Sequence, residues 1–377
     1  MRFDAADLRR WPIDEAELAP FYDWATAEMG LCGTGDRPPL RPVAAIARLL
    51  AAARTSSSPD LRLEPFLPTL AVETRPGTTR CCTYSGDCMA GCPRQSIYSA
   101  SITIERMIAE GVLCKVTAAK VLAVHSQSRT LSILWEKGEQ EQVGPFDLIL
   151  VAAGCLGTAQ ILLRTLPAVS ALDMLDNPVF TFPILVTGGT VAPAEDAGYF
   201  GMTNGCITVI PKDPALPSAS VQLYPAMDHL WAYFTPGGLW SALVPVGRLL
   251  RQHLVIGRLY LHSDHGSVIR MGLAANGAPR LSLRRTGGMP VGLWRSLRRA
   301  LGCQGFLVPS VPLLRQKTSS HYAGTLPYGT AGVDANGRLE PGVYLCDSTV
   351  FPDSPAASPT LTIMAAAMRT AMAAQPA

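Results

Sequence analysis

Charge is scarce in this chain. Only 16% of its 377 residues are Asp, Glu, Lys or Arg and 48% are hydrophobic, which excludes a disordered, self-solvating polypeptide. That length and that apolar share are enough for two domains with separate cores. Neither sign of charge dominates. Basic residues number 32 and acidic ones 29, for a formal net charge of +3. The basic residues gather only briefly, as in RSLRRA (295–300), so there is no nucleic-acid footprint. Apolar runs of membrane length are missing too. The opening MRFDAADLRRWPIDEAELAPFYDW is polar and acidic and lacks the apolar centre of a secretory signal. The most apolar internal stretch, LWAYFTPGGLWSALVPVG (230–247), is cut by two prolines and three glycines. It suits a core segment, a lid or a substrate-channel wall better than a spanning helix. No internal repeat is present.

Cysteine, in contrast, is plentiful and unevenly placed. Four of the ten fall within RCCTYSGDCMAGCPRQS (80–96). Ten cysteines without a secretory signal imply reduced thiols and a cytoplasmic location, or export alongside a partner. Cys82, Ser85, Cys88, Cys92 and Pro93 follow the ferredoxin spacing C-x2-C-x2-C-x3-C-P, with serine at the second ligand. Cys82, Cys88 and Cys92, with Cys81 in reserve, would offer three thiolates to an iron–sulfur cluster. The alternative is a structural loop with reduced or disulfide-paired thiols, and the sequence leaves both open. Zinc fits less well, because no histidine lies nearby to complete a tetrahedral set. The cysteines at 32, 114, 155, 206, 303 and 346 stand mostly in apolar contexts and read as core.

Residues 14–30 read as a helix, acidic at its start and closed by Gly30. A polar, proline-rich connection follows, through SSSPDLRLEP (56–65). SITIERMIAEGVLC (101–114) predicts a helix closed by Gly111. Residues 115–154 read as a strand, a hairpin and a final strand, whose run LILVAA (148–153) suits burial on both faces. GCLGTAQILLRT (154–165) turns from that strand straight into a helix. Between 178 and 285, alternating stretches such as NGCITVI, ASVQLYP and VIGRLYLHS predict an antiparallel sheet, with AANGAP (274–279) as a hairpin turn. A basic helix is expected near 290–302. His262 and His265, in LHSDHG, read as turn residues rather than a metal pair.

The C-terminal block SSHYAGTLPYGTAGVDANGRLEPGVYLCDSTVFPDSPAASPTLTIMAAAMRTA (319–371) is the most informative segment. A hydrophobic strand ends on Asp347, and after a short loop SPTLTIMAAAMRTA opens a helix. A helix N-terminus offers unpaired N–H groups and the positive end of a dipole to an electron-rich ligand atom. This block resembles the C-terminal signature of the glucose–methanol–choline (GMC) family of FAD-dependent oxidoreductases. RRWPIDEAELAPFYDWATAEMGL and DLILVAAGCLGTAQILLRT are similar to two further family segments, so the resemblance spans most of the chain and is weakest over 170–315.

The resemblance implies an α/β (mixed α+β) fold in which an incomplete Rossmann-like FAD-binding domain carries an inserted antiparallel-sheet substrate domain. The expected boundaries are an N-terminal helix and connection (1–77), an FAD-binding region with the cysteine loop (78–168), the substrate domain (169–315) and a catalytic FAD-binding segment (316–377). His321 becomes the base that takes the hydroxyl proton of a small-molecule alcohol while the carbon-bound hydride passes to flavin N5, a task for which imidazole has a suitable pKa. Asp347 and Ser348 fall at the flavin-contacting strand end, and Pro359 and Thr360 where the last helix faces the ring. Gly154 lies on the turn near ribose and phosphates, and Val121 on the strand whose backbone holds the adenine. The cysteine run resembles that of bacterial GMC dehydrogenases which pass electrons from an iron–sulfur cluster to a protein acceptor, although the Cys82–Cys88 gap is one residue longer here.

Two departures stand out. Ser358 occupies the position where the family has Asn or His as a second group on the substrate oxygen, and a hydroxyl donates only one hydrogen bond. Nothing in residues 1–60 matches the family's strand, G-x-G-x-x-G loop and helix. GLCGTG (30–35) follows a helix instead. A separate chain supplying that segment, a shortened or misplaced start, and a decayed relative that cannot hold FAD are the situations this departure implies.

Overall fold

A computed structural model describes residues 1–187, 198–226, 253–310, 314–315, 319–330 and 332–375. The apolar stretch 230–247 lies outside them. Among the described residues no helix is long and apolar enough to cross a membrane.

Helix α1 (Glu15–Met29) starts where Asp14 accepts a hydrogen bond from the Glu17 N–H at 2.8 Å, and it stops at Gly30, whose φ of 62° only glycine adopts readily. Leu18, Tyr22, Ala25 and Met29 recur every three to four residues and are buried. They pack toward the C-terminal helix α6 (Thr360–Ala373), to which the Tyr22 hydroxyl is bonded through Thr362 Oγ1 at 2.9 Å. Arg369 of α6 pairs with Glu17. The ends of the chain therefore share one core, and α4 (Gly154–Thr165) contributes Ala159 and Leu162 to it.

The largest sheet is antiparallel, in the order β1 (Leu61–Phe66), β8 (Gly205–Pro211), β9 (Ala219–Pro225), β10 (Leu254–Tyr260), β7 (Val179–Val186) and β13 (Phe306–Leu307), with β14 (Leu314–Arg315) also on β7. Alternation sorts its residues by face. Val221, Leu223, Val255, Leu259, Phe182 and Ile184 point into a second core under α2 (Ala44–Thr55) and α5 (Val291–Gly302). Gln222, Arg258 and Thr181 stand in register on the opposite face. Gly257 is required where it sits, because a Cβ there would lie 2.7 Å from the paired Phe182 ring.

Beside it, β12 (Pro279–Arg285), β11 (Ser267–Leu273), β6 (Ala171–Asp176) and β15 (Tyr322–Ala323) form a four-stranded antiparallel sheet. AANGAP makes its hairpin turn, with Gly277 at φ 75°. A meander of β2 (Ala119–His125), β3 (Thr130–Trp135) and β4 (Gln140–Val143) precedes β5 (Ile149–Val151). The third small sheet runs β16 (Arg338–Glu340), β17 (Val343–Leu345), β5, and β17–β5 is its parallel pair.

Three expectations need correction. The connection after α1 contains α2 and β1, because AAIARLLAAART buries Ile46, Leu49, Leu50 and Ala53 on one face. LILVAA gives only a three-residue strand with Leu150 43% exposed, not burial on both faces, since β5 has β17 as its only neighbour among the described strands. Cys32, Cys155, Cys206 and Cys346 are core, but Cys114 and Cys303 are exposed. The helix expected over 101–114 is α3 (Ala100–Ala109), which buries no residue and is followed by Gly111 at φ 71°.

Candidate active site

Strand β17 delivers Asp347 to a buried position. Its carboxylate accepts from Thr158 Oγ1 at 2.5 Å and from the Thr349 N–H at 2.8 Å, which ties the strand end to α4. Ser348 is buried as well, and its carbonyl accepts from the Gly324 N–H at 3.0 Å. Thr325 and Leu326 donate to Thr349 O, and Tyr328 donates to Val350 O. The segment after His321 thus lies along the segment after Asp347. The approach is tight at Gly324, where φ is 60° and a Cβ would stand 2.8 Å from the Phe351 carbonyl oxygen.

His321 is anchored through its backbone. Its N–H donates to Ser319 Oγ at 2.9 Å, and Ser319 in turn donates its hydroxyl and its N–H to Asp176 at the end of β6. The imidazole stacks on Tyr260 of β10, with centroids 5.1 Å apart and planes at 17°. Its Nδ1 is enclosed and, among the described residues, has no hydrogen-bond partner. Burial, reinforced by the positive charge of Arg258, pushes the imidazole pKa down to about 4, so the ring is neutral at pH 7. Arg258 also lies over the Tyr260 ring, 5.4 Å from its centroid.

Tyr260 packs with Val179 and with Ala356, two positions ahead of Ser358. The loop carrying Ala356 is held by Asn177, whose Nδ2 donates to the carbonyls of Leu261, Ser354 and Pro355 at 2.8–3.1 Å. Ser358 is half-buried, Pro359 buried and Thr360 exposed at the first residue of α6. No side chain caps that helix start, so its N–H groups are open to an electron-rich ligand. Trp11, from the N-terminal WPI segment, supports this loop from below. Its Nε1 donates to Asp353 Oδ1 at 2.8 Å, and its ring lies 4.3 Å from Phe351. His262 is buried between Asp264 and Asp353, at 3.4 and 3.6 Å, beside a short 3₁₀ turn.

Val121 and Ala153, the residue before Gly154, line a second place. Val121 sits at a bulge in β2 and lines a cleft of about 460 Å³ with Val124, Ile149, Leu150 and Ala153. Gly154 opens α4 at φ 73° beside that cleft, with nothing within 4 Å of where a Cβ would stand, and no side chain caps the helix. These residues fit FAD in character: an apolar cleft for its adenine end, two uncapped helix starts for electron-rich atoms, and an unpartnered imidazole nitrogen. Tyr260 and Asn177 escaped the sequence reading. Alternation along VIGRLYLHS places Tyr260 on the face away from the core, but nothing in the sequence marks Asn177.

Cys82, Cys88 and Cys92 line one small hollow with Phe200. The Cys88 and Cys92 sulfurs accept from the N–H groups of Gly201 and Ser96 at 3.3 and 3.2 Å. Among the described residues, however, no three His, Cys, Asp or Glu side chains stand where they could share a metal ion. Burial pushes the Cys82 and Cys88 thiols up, whereas at Cys92 burial is outweighed by hydrogen bonds from Ser96, which bring that thiol down. An iron–sulfur cluster is therefore not supported, and all three are free thiols in a packed loop.

No family model matches the chain. It is 25% identical over 413 residues to 6'''-hydroxyparomomycin C oxidase of Streptomyces lividus, covering 98% of this chain and 73% of that protein. It is also 25% identical over 406 residues to paromamine 6'-oxidase of Streptomyces fradiae, covering 97% and 72%. Among solved structures, pyridoxine 4-oxidase from Mesorbium loti superposes with a TM-score of 0.63 at 16% identity, over 99% of this chain and 81% of that one. An FAD-dependent oxidoreductase from Chaetomium thermophilum gives 0.60 at 14% identity, over 99% and 83%. These likenesses agree with the resemblance that residues 319–371 bear to the GMC-type FAD-dependent oxidoreductases, and with an oxidoreductase acting on CH–OH donors.

Proposed function

We propose that the chain oxidises an alcohol carbon of a hydroxylated small metabolite to a carbonyl, with His321 accepting the hydroxyl proton. The observation that carries this reading is the enclosed, unpartnered Nδ1 of a neutral imidazole beside the loop that leads to the open start of α6. FAD, when bound, supplies the two-electron acceptor for the carbon-bound hydride. Ser358 would donate one hydrogen bond to the substrate oxygen. Asp347 and Asn177 act at a distance, holding the strand end and the loop in place. The parallel β17–β5 pair with α4 is read as part of the nucleotide-binding sheet. Because the curated relatives are named as oxidases, oxygen is the electron acceptor proposed, and an amine-bearing sugar alcohol of the kind those names print is the first substrate class to assay. The test is anaerobic reduction of the FAD-loaded protein by substrate, followed as loss of the flavin band. His321→Ala is expected to slow it ~10²–10⁴-fold, and an unimpaired variant would remove His321 from the mechanism.

A second reading is favoured by the edge of β5 that no described strand pairs. Parallel strands are normally covered on both sides, and Leu150 is exposed beside an apolar cleft. In this reading FAD is held only once a further strand, from outside these 377 residues, pairs there. Protein that stays colourless after FAD is added supports it, and protein that turns yellow and stays so through gel filtration overturns it.

A further inference from the structure

A cleft of about 350 Å³ lies where the end of α1, the segment carrying Glu73, Arg75 and Arg80, and the first turns of α3 come together. Four guanidinium groups line it, those of Arg37, Arg75, Arg80 and Arg106, against the carboxylates of Glu28 and Glu73. Both carboxylates are spoken for. Glu73 accepts from Arg75 Nε and Nη2 at 3.0 and 2.6 Å, which holds its pKa down at about 2. Glu28 accepts from Thr103 Oγ1 at 2.8 Å and from Arg106 at 3.2 Å. Arg37 also stands 3.7 Å from Glu73, and Asp36 outside the cleft stands 3.6 Å from both Arg37 and Arg75, ion-pair distances too long for a hydrogen bond.

Arg80 is the odd cation. Its Nε and Nη2 donate to the carbonyl of Gln95 at 2.9 and 2.5 Å, a neutral acceptor, so its charge is not offset by a hydrogen-bonded carboxylate. The Arg37 Nε on the same lining is buried and, among the described residues, has no hydrogen-bond partner. A buried donor with no acceptor is costly to keep unless something fills its place. The negative end of α1 opposes an anion here, but the Arg37 guanidinium lies against Gly30 and offsets it.

We propose that this cleft binds the phosphate of a phosphorylated small molecule, with Arg80 and Arg37 as the guanidinium forks. A phosphomonoester carries close to two negative charges at pH 7, which matches the excess of two cations over carboxylates in the lining. The space is larger than a phosphate ion requires, and it continues toward Tyr98 and Ile102, where the rest of such a molecule would lie.

The experiment is isothermal titration of the full chain with inorganic phosphate and with ribose 5-phosphate, at ionic strength matched with potassium chloride. It needs neither flavin nor turnover, so its outcome is independent of the proposed oxidation. Both probes are expected to bind saturably, ribose 5-phosphate more tightly. Arg80→Gln and Arg37→Gln should each weaken binding, Arg80→Gln by about tenfold or more, as loss of a charge-assisted hydrogen bond implies. Arg62→Gln, which alters a surface arginine paired with Glu64, should leave it unchanged. Absence of saturable heat, or equal affinity in Arg80→Gln with an unchanged thermal melt, overturns the site. Ribose 5-phosphate binding no more tightly than inorganic phosphate overturns the phosphomonoester assignment.

Discussion

The two sheets flanking the candidate site are built from similar apolar sequence and end up in different states. In the large antiparallel sheet, β9 and β10 each have two neighbours, and Val221, Val255 and Leu259 are fully enclosed under α2 and α5. In the parallel pair, β5 has β17 as its only neighbour among the described strands, and its central Leu150 is exposed. What differs is the company of the strand, not its composition. The half built on the antiparallel sheet is self-sufficient in packing, and the half with the parallel pair leaves apolar surface uncovered among the described residues.

The largest effect expected bears on the self-sufficient half. Beyond slowing flavin reduction, His321→Ala tests whether the rigid Tyr260 platform presents a base at all. The pH profile sharpens this. With a pKa near 4 in the folded protein, against 6.5 unperturbed, the imidazole stays a competent base well below neutrality. The reduction rate should be flat from pH 8 to 5 and fall only as pH nears 4. A limb centred near 6.5 would show that the ring is not enclosed in solution. The same depression affects folding. Between about pH 6.5 and 4 the unfolded chain binds a proton that the native ring does not, so this group's contribution to stability falls as pH falls through that window. His321→Ala should remove that slope from urea-denaturation data.

Next in size is the core of the large sheet. Leu259→Ala deletes a fully buried side chain from a packed layer and should cost about 2–5 kcal/mol in chemical denaturation. A loss below ~1 kcal/mol would mean that the layer can collapse around the gap. Gly324→Ala should cost about 1–3 kcal/mol, because the residue combines φ 60° with a carbonyl oxygen 2.8 Å from the new methyl. It should also slow flavin reduction by shifting His321, three positions earlier. Unchanged kinetics at reduced stability would separate the turn from the base.

Much of this was legible from residues in order. Asp14 and Gly30 bracket α1, and Gly154 opens α4. The alternation of ASVQLYP and VIGRLYLHS foretold β9 and β10. The cationic cleft was not legible, because Arg37, Arg80 and Arg106 are far apart in sequence and meet only through the packing of α1, the cysteine segment and α3. Nor was the loop clamp of Asn177, a single amide whose partners lie 84 to 178 positions away. The cysteine spacing misled for a related reason. A ligand pattern along the chain sets no distance between sulfurs, and the fold turns them toward backbone donors instead.

The smallest effect is the most discriminating for the comparison itself. Leu150→Ala on the isolated chain should change stability by no more than about 0.5 kcal/mol, since an exposed side chain gives up little burial when shortened. If the half with the parallel pair is covered when functional, by cofactor or by a further strand, the same substitution should cost far more in the loaded protein. Truncating a buried leucine is worth about 2–5 kcal/mol, and ligand-linked stabilisation would shrink by the corresponding factor. The measurement is the rise in melting temperature on adding FAD, in the parent and in Leu150→Ala. A smaller rise in the variant places Leu150 under the cover. Equal rises with a small cost in both states would show that β5 is a true edge and that the two halves differ in burial without differing in function.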